Sequence, residues 1–414
     1  NISDMMGGKF LKMTMSSVPL RAKTVLVRTD YNVPLTDDGK VRDDYRIVKS
    51  LPTIRKLLSE GCKVVIISHL GRPNGVANPS CSLEPVAVRL AELLGEPVRF
   101  VDRCVGDKAR MAIKRSPGRS VVMLENLRFH PEEESNDIGF AEQIAKDSGA
   151  SLFIQDGFGV VHRAHASTDA ITRFLPSVAG FLVEREFRMI SEIVREPTRP
   201  LVAVLGGAKV SDKIEAMEAL VDVADAIIVG GAVANTFLAI RGVSMGESRV
   251  DMKQKGVIDS IYKKVAQKVG DERVDSFVVL PVDLGVGTST SQIATRQDVS
   301  IHDVPEGSMA LDLGPETARL IESIVSRSRT VVWSGTLGYS EVPAFRTTSV
   351  ALARTLKQCS DVFSLIGGGE TADFAVNWDD RCGDSFGYIS TGGDASLALI
   401  SGKKLPGIEA LLDA

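Results

Sequence analysis

The sequence predicts an α/β fold in two halves, each built on a parallel sheet with covering helices. Three observations predict it. Short, continuous apolar runs recur along the chain, as expected of strands buried on both faces. Helical stretches alternate with them. The length of 414 residues exceeds one ordinary core, so two domains are expected.

Composition excludes several function classes. Apolar residues make up 44% and charged residues 25%, which describes a globular chain. The 49 basic and 53 acidic residues leave a net charge of −4, so nothing draws the chain to nucleic acid or a membrane surface. No apolar run reaches transmembrane length, and there is no signal-peptide core. Five scattered cysteines without a C-x-x-C argue against a disulfide framework or zinc site and for a reducing cytosol. The five histidines lack metal-ligand spacing.

In the first half, TVLVR (24–28) reads as a strand ending at Asp30 and Asn32. These are groups for a ligand or for turn chemistry. Arg46 opens a helical stretch over 47–58. KVVIIS (63–68) runs into His69 and Arg72, VVMLEN (121–126) into Arg128, and LFIQD (152–156) into Arg163. All carboxyl ends of a parallel sheet share one edge, so these groups converge there. Several arginines on one edge repel unless an anion neutralises them. A small, multiply charged anion such as a phosphorylated carboxylate fits best, because guanidinium forks bind both of its groups. Residues 181–194, FLVEREFRMISEIV, form a helix without Gly or Pro, a rigid connector between the halves.

The second half opens on LVAVLGGAKVSDK (201–213). A buried strand meets Gly206 and Gly207, and Lys209 and Lys213 follow on one helix face. Bare backbone N–H groups at a helix start, with two lysines, make a phosphate site; the alternative is a tight turn with solvated lysines. Neither a Walker loop nor a G-x-G-x-x-G is present. Strands are expected in 226–232, 277–283, 309–316, 330–338, 362–372 and 388–396. Gly367-Gly368-Gly369 and Gly392-Gly393 offer further N–H nests. Glu341 and Glu370 lie near such endings, as helix-end charges or as a ribose contact and a metal contact respectively. A basic anion site in one half and phosphate nests in the other suit phosphoryl transfer, with the connector letting the halves close.

Nine segments carry a resemblance. They are VRTDYNVPL (27–35), SHLGRP (68–73), ENLRFH (125–130), DGFGVVHRAHAS (156–167), LGGAKVSDKI (205–214), LDLGPE (311–316), IGGGETA (366–372), STGGDAS (390–396) and GKKLPGIEAL (402–411). In this order they resemble the phosphoglycerate kinase family over nearly the whole chain. The resemblance implies two Rossmann-like three-layer α/β/α domains with parallel sheets, joined by a hinge helix. It implies residues 1–180 binding 3-phosphoglycerate or 1,3-bisphosphoglycerate, 181–200 as connecting helix and hinge, and 201–395 binding ATP or ADP with Mg²⁺. It implies that 396–414 packs back on the first domain.

The family's substrate residues fall on Asp30, Asn32, Arg46, His69, Arg72, Arg128 and Arg163, with Arg46 and Lys213 as the catalytic pair. Its nucleotide residues fall on Gly207, Lys209, Lys213, Ala310, Glu341, Gly368, Gly369, Glu370 and Thr371, with Glu370 at the metal. A cytoplasmic monomer acting in glycolysis is implied too. Departures from the pattern cluster on the nucleotide side: Ala232 and Ala310 for Gly, Ser334 for Asn, Glu370 for Asp, and Asp394 for the third Gly of its nest. A carboxylate at 394 repels phosphate. The alternative is therefore an impaired paralogue that binds phosphoglycerate but has an altered nucleotide site.

Overall fold

The computed structural model describes residues 10–414. Two compact units divide the chain. One runs to Met189 and includes Lys404–Ala414; the other is Ile190–Lys403.

In the first unit, β1 (Thr24–Arg28), β2 (Lys63–Ile67), β3 (Val98–Val101), β4 (Ser120–Leu124), β5 (Leu152–Gln155) and β6 (Ser177–Ala179) form one sheet, in the order β3-β4-β2-β1-β5-β6. Every pairing is parallel. The middle strands are apolar along most of their length because the sheet is covered on both faces. Val25, Val27, Val64 and Ile66 join Ile47, Leu51, Ile54 and Leu57 of helix Tyr45–Ser59 in one core. Leu26, Val65, Ile67 and Phe153 join Ile113, Phe140 and Ile144 in another. That places the ends of β1, β2, β4 and β5 on one edge. The sequence reading passed over β3 and β6: β3 is half-exposed at the sheet edge and β6 has three residues.

The C-terminal segment is held by backbone. Gly407 N–H donates to Val161 O at 2.8 Å and Leu412 N–H to Ser177 O at 3.0 Å. A Cβ at Gly407 would lie 2.9 Å from Val161 Cα, so only glycine fits that approach.

In the second unit, β7 (Leu201–Leu205), β8 (Ala226–Val229) and β9 (Val278–Val279) lie on one side of the main sheet. A small separate sheet holds β10 (Asp283–Gly287), β11 (Gln297–Ser300) and β12 (Met309–Leu313). The main sheet is completed by β13 (Thr330–Ser334), β14 (Phe363–Gly367) and β15 (Tyr388–Ile389), in the order β15-β14-β13-β7-β8-β9. Its pairings are parallel, whereas β10 pairs antiparallel with both β11 and β12.

Two expectations are corrected here. Residues 277–283 are not one strand. Phe277 ends a helical turn, β9 is two residues long, and Pro281 lacks a ladder donor. Asp283 then turns to another task, accepting the N–H groups of Glu316 (2.9 Å) and Thr317 (2.8 Å) at the start of helix Pro315–Ser326. Residues 309–313 are a strand, but an antiparallel one outside the main sheet. The stretch expected to be helical is the helix Phe181–Arg195, and the division between the units falls inside it.

Candidate active site

The first unit gathers its cations where the sequence places them. Asp30 is buried just past β1, and its Oδ1 accepts the Asn32 N–H at 3.2 Å. Asn32 Oδ1 accepts the Gly71 N–H at 2.8 Å, which ties the ends of β1 and β2 together. Arg46, at the start of its helix, donates to Asn32 O and lies 3.9 Å from Asp30 Oδ2. Arg128 donates to Gly71 O at 3.2 Å, and its Nε makes no hydrogen bond among the described residues but lies 3.8 Å from Glu134 Oε1. Asn126 fixes this corner through Nδ2, donating to Leu70 O (2.7 Å) and Cys81 O (2.8 Å). Arg163 is half-buried and donates to His162 Nε2 at 3.1 Å; Arg72 is exposed.

The sequence reading missed Arg28. It closes β1 and is fully buried, donating from Nε to Ser167 Oγ at 2.8 Å. Its NH2 lies 3.0 Å from His69 Nδ1. Burial lowers its pKa to about 10, against the pull of Glu133 and Asp30, so it stays charged at neutral pH. The only sequence signal is an arginine at a strand end. Burial, then Arg28, Arg128 and Arg46, hold His69 well below the ordinary histidine range. Burial, then Arg28, Arg128 and Arg163, bring His165 to about 3. Burial together with these cations keeps both histidines neutral, as suits a candidate anion site.

The second unit holds a cleft of about 440 Å³ at the ends of β7, β8 and β13. Gly207, Ala310, Glu341 and Glu370 line it, with Ala232, Leu311, Leu313 and Tyr339. Bare backbone makes it possible. Gly207 has φ +86°, Gly231 N–H donates to Leu337 O at 3.2 Å, and a Cβ at Gly231 would meet Gly207 N at 2.8 Å. Gly368 (φ +102°) precedes Gly369, which starts helix Gly369–Trp378; Thr371 Oγ1 is spent on the Gly335 N–H at 2.8 Å. Gly368, Gly369 and Thr371 do not line this cleft.

Lys209 and Lys213 lie just past Ala208. Lys213 donates to Ser334 Oγ, and burial lowers its pKa to about 8, with Asp394 the main group opposing the fall. Lys209 Nζ lies 3.3 Å from Asp394 Oδ2. Arg249, Asn235 and Thr290 also line the cleft and were missed, because no motif joins them.

A parallel α/β unit with a polyanion site, and another with a glycine-lined cleft flanked by lysines, define a phosphotransferase of two α/β domains. The sequence pattern of the family described as phosphoglycerate kinase matches residues 15–403. The phosphoglycerate kinase of Moorella thermoacetica is 44% identical over 402 residues, 97% of this chain and 99% of that one. That of Desulfosudis oleivorans is 43% identical over 399 residues, 96% and 98%. Among solved structures, the phosphoglycerate kinase from Coxiella burnetii superposes with a TM-score of 0.77 at 34% identity, covering 96% and 98% of the two chains. That from Pyrococcus horikoshii OT3 gives 0.81 at 29%, with the same coverage. This chain belongs to the phosphoglycerate kinase family.

Proposed function

We infer that the chain transfers a phosphoryl group reversibly between 1,3-bisphosphoglycerate with ADP and 3-phosphoglycerate with ATP. The observation that carries this is the cationic cluster of the first unit, with Arg28 and Arg128 buried inside it. We assign phosphoglycerate binding to residues 1–180 and nucleotide binding to 201–395, in a monomer working in the cytoplasm. No helix among the described residues is long and apolar enough to cross a membrane.

Arg72, Arg128, Arg163 and His69 hold the phosphate and carboxylate of the glycerate, and Asp30 and Asn32 orient it. Arg46, which donates to Asn32 O and lies 3.9 Å from Asp30 Oδ2, turns to the phosphoryl group in transit. Lys213 meets the same charge from the nucleotide side. Gly207, Lys209, Gly368, Gly369, Glu370 and Thr371 serve the phosphate end of the nucleotide, and Ala310 and Glu341 its nucleoside end.

Mg²⁺ fits this donor set. Glu370 is an exposed carboxylate on the cleft wall, and Mg²⁺ with a nucleotide takes one or two carboxylates and otherwise phosphates and water. Bound there with a nucleotide, it neutralises phosphate charge. Because Asp394 is paired with Lys209, its carboxylate is not an uncompensated charge in the site, which supports a working enzyme over an impaired one.

The test is steady-state transfer from ATP to 3-phosphoglycerate with Mg²⁺. Turnover of about 1–100 per second or above is expected. No turnover in folded protein that still binds 3-phosphoglycerate would restore the impaired-paralogue reading.

A further inference from the structure

The nucleotide cleft has two chemically different parts. Leu311, Leu313 and Tyr339 make one of them apolar, beside Ala310 and Glu341. Gly207, Ala208 and Gly231 make the other a wall of small residues. A purine fits the first and a phosphate chain the second. Past Ala208 the backbone continues to Lys209 and Lys213, which do not line the cleft. A nucleotide therefore reaches these lysines only with the far end of its phosphate chain, and a triphosphate extends one phosphate further than a diphosphate.

At that far end Lys209 already has an anion. Asp394 Oδ2 lies 3.3 Å from Lys209 Nζ. Lys213, one helical turn along, is held by the Ser334 hydroxyl. Both members of the ion pair are well exposed, at 59% for Lys209 and 44% for Asp394, so the pair itself stabilises the fold little. Its effect comes when a phosphate arrives. The phosphate must take Lys209 from the carboxylate or sit beside a second negative charge. Glu370 and Asp212 add negative charge around Lys213 and do nothing to relieve this.

We propose that Asp394 is a specificity-determining residue of the nucleotide site: its carboxylate competes with the third phosphate of ATP for Lys209, and so weakens ATP relative to ADP. This rests on the reading of Lys209 as a phosphate-side lysine. It turns a substitution that looks disabling into one that tilts the enzyme toward its diphosphate substrate.

The experiment is calorimetric titration of the full chain with ADP and with ATP, each with excess Mg²⁺ and without phosphoglycerate. Wild type is compared with Asp394→Asn, which keeps the side chain's size and removes its charge, and with Asp394→Gly. ATP affinity is expected to rise about fivefold or more in both variants, from the removal of a like charge a few ångström away. ADP affinity changes about twofold or less, and added salt narrows the difference. Equal gains for the two nucleotides, or no gain for ATP, overturn the proposal. A wild type that binds neither nucleotide overturns the assignment of the cleft itself, and this inference with it.

Discussion

Arg28 NH2 stands 3.0 Å from His69 Nδ1, and this contact fixes which proton the histidine carries. A charged guanidinium only donates, so Nδ1 must accept. His69 is held neutral by burial and by its arginine neighbours, so its one proton sits on Nε2, ready to donate to an anionic substrate. Arg28→Lys keeps the charge but cannot serve His69, Ser167 and the Thr29 carbonyl together. Affinity for 3-phosphoglycerate is expected to fall about tenfold, the scale of one lost charged hydrogen bond, with ADP affinity unchanged. Titration of each ligand checks it, and a variant with wild-type phosphoglycerate affinity would remove Arg28 from this role.

Arg46 stands at the start of its helix, where it donates to Asn32 O and lies 3.9 Å from Asp30 Oδ2. A cation at the strand-end edge of the first unit can turn to charge that develops during transfer. Arg46→Ala is expected to cut kcat about a hundredfold or more while the KM for 3-phosphoglycerate moves little. A raised KM with unchanged kcat would make Arg46 a plain binding residue.

Asp30, Asn32, His69 and Arg128 were legible because a parallel sheet brings its strand ends to one edge, whatever their distance in sequence. Lys209 and Lys213 were legible because a strand–Gly–helix turn is local. What escaped depends on partners far along the chain. Nothing near Arg28 says that its guanidinium meets residues 41 and 139 positions away. Asp394 looked like a misplaced charge because its partner, Lys209, is 185 residues distant. The run 277–283 misled for a different reason. Its apolar pattern is genuine, but Asp283 is claimed by the start of helix Pro315–Ser326, a contact that no window of seven residues contains.

Lys213 makes nucleotide binding depend on pH. Burial brings its pKa to about 8, so it is mostly charged at pH 7 and mostly neutral at pH 9. A phosphate binds the charged form better and raises the lysine's pKa as it does so. ATP affinity is therefore expected to hold up to about pH 8 and then decline, approaching about tenfold per pH unit. Near pH 8–9 binding takes up protons, which calorimetry in buffers of different ionisation heat detects. Lys213→Met should weaken binding at pH 7 and flatten the decline; a decline that survives the substitution belongs to another group.

Asp156 gives the first unit a pH dependence of the opposite origin. It follows β5 and is buried against the start of the connector helix, its Oδ1 accepting the Leu182 N–H at 3.0 Å. Burial raises its pKa to about 7, Glu186 adds to the rise, and Thr53 with the Leu182 and Val183 N–H groups opposes it. The unfolded value is about 4, so the folded state binds the proton more tightly. Its stabilising contribution is fully present below about pH 4 and is lost as pH rises through 7. His69 and His165 act the other way, because their lowered values cost stability as pH falls below about 6.5. Comparing wild type with Asp156→Asn cancels the histidines. The stability of wild type relative to the variant should grow as pH falls from 7 to 4, at up to about 1.4 kcal/mol per pH unit. Denaturant unfolding across that range measures it, and a difference that stays flat would mean that Asp156 titrates as an ordinary carboxylate despite its burial.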